Sequence, residues 1–196
     1  MRSRGLFIAL YGPEGVGKST QGKLLEEKLR DHHVLVKRIR YPVYSQHPTG
    51  PMLDSMLHRK REKLDEEEMQ RLFSQNREEF EPTLTSWLSS GLCVVAENYK
   101  GTGIVWGMVR GLKLEQMEEI NRDNIDPDIA IVIDGPKRED FEGHPYGEDD
   151  EEWYRARKMY LQMADKYGWV RVGADAPVLV VANRIWAVVK PVLAVR

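Results

Sequence analysis

At 196 residues and 41% hydrophobic content, the chain can bury a sizeable core within one domain and is too apolar for wholesale disorder. Its 29 basic and 31 acidic residues nearly cancel, so no global basic field marks it as a nucleic-acid binder. The one cysteine, Cys93, sits in an apolar run without an internal disulfide partner, which suits a reducing cytoplasm. No apolar run approaches the roughly 20 residues of a membrane span. Arg2 and Arg4 precede an apolar stretch too short for a signal peptide. These features predict one domain over residues 1–196 in the cytoplasm, with neither nucleic acid nor membrane as partner.

Leu6-Phe7-Ile8-Ala9-Leu10 reads as a buried strand. Gly12-Pro13-Glu14-Gly15-Val16-Gly17-Lys18-Ser19 follows, and from Ser19 and Thr20 to Leu29 the pattern is that of an amphipathic helix. Glycine, four residues, glycine, lysine and serine between a strand and a helix make a phosphate-binding loop. The glycines let backbone N–H groups converge on phosphates, and the helix N-terminus adds its positive end. In that arrangement Lys18 reaches the β- and γ-phosphates and Ser19 ligates Mg²⁺. The nucleotide-binding candidates are Gly12, Pro13, Glu14, Gly15, Val16, Gly17, Lys18, Ser19 and Thr20.

A second strand is predicted from Val34 to Tyr41, ended by Pro42, and 41–51 with its prolines reads as a ligand loop. Met52 to Leu57 suggests a short helix. A longer one starts at Asp65 as N-cap, with Met69, Leu72, Phe73, Phe80, Leu84, Trp87 and Leu88 at helical spacing. Pro82 should kink or split it, and Gly91 should close it. Leu92 to Ala96 is a continuous apolar run, the mark of a strand buried on both faces, and it ends in Glu97. A carboxylate there suits a Mg²⁺-organising acid, the alternative being a strand-end acid facing water. Glycines at 101, 103, 107 and 111 make 99–111 read as a loop near a ligand.

Lys113 to Asn121 reads as a helix and Ile129 to Asp134 as a fourth strand; Gly135 to Glu152 is too polar to pack and suits a mobile flap. A helix from Asp149 to Tyr167 should carry Trp153, Arg157, Tyr160, Leu161 and Ala164 on one face. A fifth strand follows at Trp169 to Val172. The last helix begins at Ala176-Pro177, with Val178, Val181, Ile185, Val188 and Val189 facing inward. Strands alternating with helices predict an α/β fold with a five-stranded parallel sheet covered on both faces, and a lid over about 135–150.

On several segments taken in order, the chain resembles the thymidylate kinases among the P-loop nucleoside monophosphate kinases. Arg40-Tyr41-Pro42 is similar to the family's Arg-x-Pro segment, whose arginine holds the acceptor monophosphate. Leu72-Phe73-Ser74-Gln75-Asn76-Arg77 resembles its Leu-Phe-x-x-x-Arg helix, where the phenylalanine stacks on thymine and the arginine contacts the base. Pro127 to Asp134 resembles the strand before the lid, and Arg155-x-Arg157-x-x-Tyr160-Leu161 the helix after it. The resemblance implies transfer from ATP to dTMP with Mg²⁺, in a homodimer. It makes Lys18, Arg40, Lys137 and Arg138 the catalytic candidates. Glu14, Arg40, Phe73, Arg77, Glu97 and Trp106 become the acceptor-binding ones, and Ser19 and Glu97 the metal ones. For Phe73 and Trp106 a purely core role stays open; for Lys137 and Arg138, a solvated charge run does.

The chain departs from the family at Glu97-Asn98-Tyr99, where an Asp-Arg pair followed by an aromatic or histidine is usual. Asn98 cannot supply a guanidinium charge, and Lys100 is the nearest candidate to replace it. Trp106-Gly107 stands where a Tyr-Gln pair is usual. Two further readings are therefore carried: another acceptor such as dUMP, and a nucleotide-binding module without turnover.

Overall fold

Three apolar strands fix the centre of the molecule. In the computed structural model, which describes residues 4–59, 64–137 and 150–194, β1 (Phe7–Tyr11) and β3 (Cys93–Glu97) are buried along their whole length, and β4 (Ile129–Asp134) nearly so. The more polar β2 (Val36–Arg40) and β5 (Val170–Gly173) take the edges. All pairings are parallel and the order is β2-β3-β1-β4-β5. A parallel sheet needs cover on both faces, and continuous apolar runs in its inner strands meet that need.

The pleat of β1 divides the core. Phe7, Ala9 and Tyr11 point to one face, against Leu84 of α3 (Glu66–Ser89), Val105 of α4 (Lys100–Val109) and Tyr160 of α6 (Asp150–Tyr167). Ile8 and Leu10 point to the other, against Leu25 and Leu29 of α1 (Lys18–Asp31) and Val181, Ile185 and Val189 of α7 (Val178–Ala194). Successive side chains on a strand alternate, so one five-residue segment holds both layers together.

Asp65 caps α3 as its sequence predicts. Its carboxylate accepts from the Glu68 N–H at 2.8 Å, and the Asp65 N–H donates to Glu68 at 3.0 Å, a reciprocal capping box. Gly91 ends the run at φ 86°, in the left-handed region. Of the kink or split expected at Pro82, the split does not occur: α3 runs unbroken through it. Phe80 and Leu84 on either side are buried in the core and hold the helix across the missing hydrogen bond. The short helix expected at 52–57 is longer, α2 (Thr49–Arg59), with Pro51 in its first turn, where no intrahelical N–H partner is needed.

The larger correction concerns 99–111, expected as a loop and found to contain α4. Its glycines serve close packing. A Cβ on Gly101 would lie 2.7 Å from the Tyr11 and Trp169 rings, and one on Gly107 would overlap the Met117 sulfur. Met117 belongs to α5 (Leu114–Ile120). On α7, Val178 is 48% exposed rather than inward. On α6 the buried face is Trp153, Ala156, Tyr160, Met163 and Ala164, while Arg157 turns to Asp134 at 2.6 Å. Of the expected lid, 138–149 lies outside the described residues. Among those described, no helix is long and apolar enough to cross a membrane.

Candidate functional site

The loop after β1 and the end of β3 meet at the carboxyl edge of the sheet, where Leu10 and Glu97 are in register. Open α/β sheets bind ligands at this edge. Gly12, Gly15 and Gly17 adopt φ of 136°, 78° and 95°, which a side chain would strain, and a Cβ on Gly12 would lie 2.5 Å from the Ile133 carbonyl oxygen. Lys18, 5% exposed, donates from Nζ to the carbonyls of Gly12 and Pro13 at 2.8 Å each. The Glu14 carboxylate stands 3.6 Å from the same ammonium. The indole of Trp153 donates to the Glu14 carbonyl at 2.7 Å and ties α6 to the loop.

Ser19 Oγ donates to Glu97 Oε2 at 2.7 Å. Glu97, 1% exposed, also accepts from Arg38 Nη1 at 2.9 Å, and Arg38 Nε reaches Glu26 at 3.2 Å. Partial burial weakens the Arg38 charge, yet bonds to Glu97 and Glu26 hold its guanidinium above the usual arginine range. A hydroxyl and a carboxylate meeting this closely are hard oxygen donors that fit a divalent cation such as Mg²⁺. Among the described residues no cluster of three His, Cys, Asp or Glu could hold a metal unaided. A cation here would need ligands from a nucleotide or water.

A cavity of about 400 Å³ opens beside the loop. Glu14, Arg40, Phe73, Arg77 and Trp106, five of the predicted acceptor residues, line it together. They come from the loop after β1, the end of β2, helix α3 and helix α4. Glu97, the sixth, is not among the lining residues and lies on the side of Ser19. Arg40 is exposed and has no ion-pair partner among the described residues. Arg77 is 3% exposed; its Nε donates to Asn124 Oδ1 at 2.8 Å and its Nη2 to Asn121 Oδ1 at 2.7 Å. Burial pushes its pKa down, opposed by the nearby hydroxyls of Tyr99, Tyr41 and Tyr11.

Gln70 and Arg110 on this wall escaped the sequence reading, and Asn98 stood out there only as a missing guanidinium. Gln70 and Asn98 line the cavity and keep buried amide oxygens without a partner among the described residues. Asn98 holds φ 59°, a conformation asparagine tolerates. Arg110, also in the wall, lies over the Trp106 ring at 5.4 Å. Lys100 does not replace the missing arginine charge. It turns away to the Asn124 carbonyl at 2.8 Å and Asp126 at 2.7 Å, lining a separate groove. Lys137 pairs with Asp150 at 2.8 Å, and Arg138 lies outside the described residues. Arg38 carried one signal, its two-residue spacing from Arg40, which puts both side chains on one face of β2.

Residues 10–185 match the family model for thymidylate kinase. The chain belongs to the thymidylate kinase family. Among relatives it is similar to the thymidylate kinase of Plasmodium falciparum, 28% identical over 190 residues, covering 94% of this chain and 89% of that one. The thymidylate kinase of Dictyostelium discoideum is 25% identical over 191 residues, covering 94% and 85%. Its fold is that of the solved thymidylate kinase of Candida albicans, with TM-score 0.79 at 22% identity over 97% of this chain and 93% of that one. Within this thymidylate kinase family member, the departure at Asn98 is therefore local: the surrounding strand, helix and cavity are all in place.

Proposed function

We propose that the chain transfers the γ-phosphoryl group of ATP to dTMP, giving dTDP and ADP. The observation that carries this reading is the convergence of Glu14, Arg40, Phe73, Arg77 and Trp106 on one cavity, which meets the phosphate-binding loop at Glu14. A triphosphate in the loop and a monophosphate at Arg40 would stand side by side. The terminal phosphate oxygen of dTMP attacks the γ-phosphorus, and the bond to the β–γ bridging oxygen breaks. That phosphate is already largely ionised near neutral pH, so no general base is required.

The chain's residues then act by positioning and by charge. Lys18 leaves the loop carbonyls for the β- and γ-phosphates, Arg40 holds the acceptor phosphate, and Phe73, Arg77 and Trp106 seat the base. Ser19 and Glu97 would hold Mg²⁺, which would supply charge neutralisation between the two nucleotides. Lys137 and Arg138 belong to the lid over about 135–150. A homodimer and a cytoplasmic site, implied by the family resemblance and by the buried free Cys93, complete the proposal; light scattering checks the first.

The test is phosphorus NMR of protein mixed with ATP, Mg²⁺ and dTMP. The reading requires diphosphate resonances of dTDP to grow with those of ADP. Their absence over hours, at enzyme concentrations that bind both nucleotides, would sink it.

A further inference from the structure

Resting on that reading, we infer that Gln70 is a specificity-determining residue: its side-chain oxygen accepts the N3–H of a 2,4-dioxopyrimidine base held in the cavity.

Gln70 sits on α3, one helical turn before Phe73, and is 1% exposed while lining the cavity. Its two amide atoms have opposite surroundings. Nε2 donates to Glu66 Oε1 at 2.8 Å, whereas Oε1 has no partner among the described residues. An ionised carboxylate only accepts, so Glu66 fixes which way the amide is turned and commits the oxygen to the other side. A buried amide oxygen left without a donor is unfavourable, and a ligand N–H that reaches it relieves that cost.

Gly103 of α4 shows where the oxygen faces. A Cβ on that glycine would lie 3.2 Å from Gln70 Oε1 and 3.2 Å from Arg77 Nη2. An acceptor and a cationic donor thus converge over one bare stretch of helix in the cavity wall. Neighbouring atoms on one edge of thymine or uracil present the complement, O4 as acceptor and N3–H as donor. Cytosine presents the reverse, an N4 amine and an N3 lone pair, and mismatches both residues. Guanine shares the O6 and N1–H pattern on a larger ring, so Gln70 does not discriminate against it. In this scheme Glu66 is a positioning residue.

The experiment measures dissociation constants by calorimetry for dTMP, N3-methyl-dTMP and dCMP, with turnover of each by the ATP-coupled assay. Proteins compared are the wild type, Gln70→Ala, the shape-conserving Gln70→Met, and Glu66→Gln. The wild type should favour dTMP over both analogues by about 100-fold or more. In both Gln70 variants the preference over N3-methyl-dTMP should fall to less than about tenfold. Glu66→Gln frees the amide to turn, so it should lose discrimination against dCMP while its melting temperature stays near that of the wild type. A merely structural role would weaken all three ligands in parallel and leave the ratios unchanged. Unchanged ratios in folded Gln70→Met would overturn the inference even with dTMP turnover intact. A wild type that turns over no dTMP would overturn the functional reading itself.

Discussion

The loop after β1 and the cavity between α3 and α4 adjoin at Glu14 but treat their polar groups in opposite ways. In the loop every functional group has an internal partner: Lys18 on two carbonyls, Ser19 on Glu97, Glu97 on Arg38. In the cavity wall, Gln70 and Asn98 keep buried oxygens unmet among the described residues, and Arg77 is buried against neutral amides with no carboxylate of those residues within ion-pair distance. A ligand entering the loop must exchange partners already made. One entering the cavity supplies partners that are missing. The first arrangement holds a general anion site in shape by itself; the second makes affinity depend on which base arrives.

The sharpest way to break this contrast is Lys18→Ala. It removes the cation that bridges transferring phosphates, and kcat should drop by at least about 1,000-fold, read by coupled ADP release. The dissociation constant for dTMP, set by the other region, should change less than about threefold. Arg77→Met should do the reverse. It leaves the Asn121 side-chain oxygen without its donor and Asn124 with Ser74 alone, and should raise KM for dTMP by about 30-fold or more, at a stability cost of about 1–3 kcal/mol measured by urea unfolding.

A pair of glycine substitutions on α4 sharpens the division further. Gly103→Ala puts a methyl 3.2 Å from Arg77 and Gln70 and should raise KM for dTMP by about tenfold with kcat little changed. Gly107→Ala meets the flexible Met117 side chain away from the cavity. It should lower the melting temperature by a few degrees and leave KM alone. Equal effects of the two on KM would contradict the placement of the base beside Gly103.

The smallest effect concerns Glu66, whose carboxyl burial holds above its usual range, against the opposing hydrogen bond from Gln70 and the charge of Arg110. The sign follows from linkage. An acid whose pKa is raised by folding stabilises the fold when protonated, and that contribution is lost as pH rises from about 4.5 through the folded value. Glu66→Gln should therefore gain melting temperature relative to the wild type on going from pH 4 to pH 7. A gap that closes instead would place Glu66 in a net favourable ion pair.

The two regions also differ in how far the sequence discloses them. The phosphate-binding loop is local: one strand, one glycine pattern and one helix start are contiguous, and the structure has them where the spacing puts them. The strands of the sheet were equally plain, because unbroken apolar runs such as Cys93–Ala96 have few other uses. The cavity is assembled from separated segments, so Glu14, Arg40, Phe73, Arg77 and Trp106 stood out through the family resemblance and not through one contiguous pattern. Gln70 gave no local sign, Arg38 only its spacing from Arg40 and Trp153 only its place on one helix face, since their roles depend on what faces them across the fold. The glycines of α4 misled for a physical reason. Gly101, Gly103 and Gly107 look like breakers in a single chain, yet Gly101 lets α4 close on the Tyr11 ring, Gly107 lets it close on Met117, and Gly103 lies tight beside Arg77 and Gln70.

The most direct measurement is kcat/KM for dTMP, dUMP, dGMP, dCMP and AMP with ATP and Mg²⁺, run beside Lys18→Ala. The account predicts turnover of dTMP well above dCMP and AMP, lost for every acceptor in Lys18→Ala. A flat profile across the panel, or turnover that survives in Lys18→Ala, would contradict it.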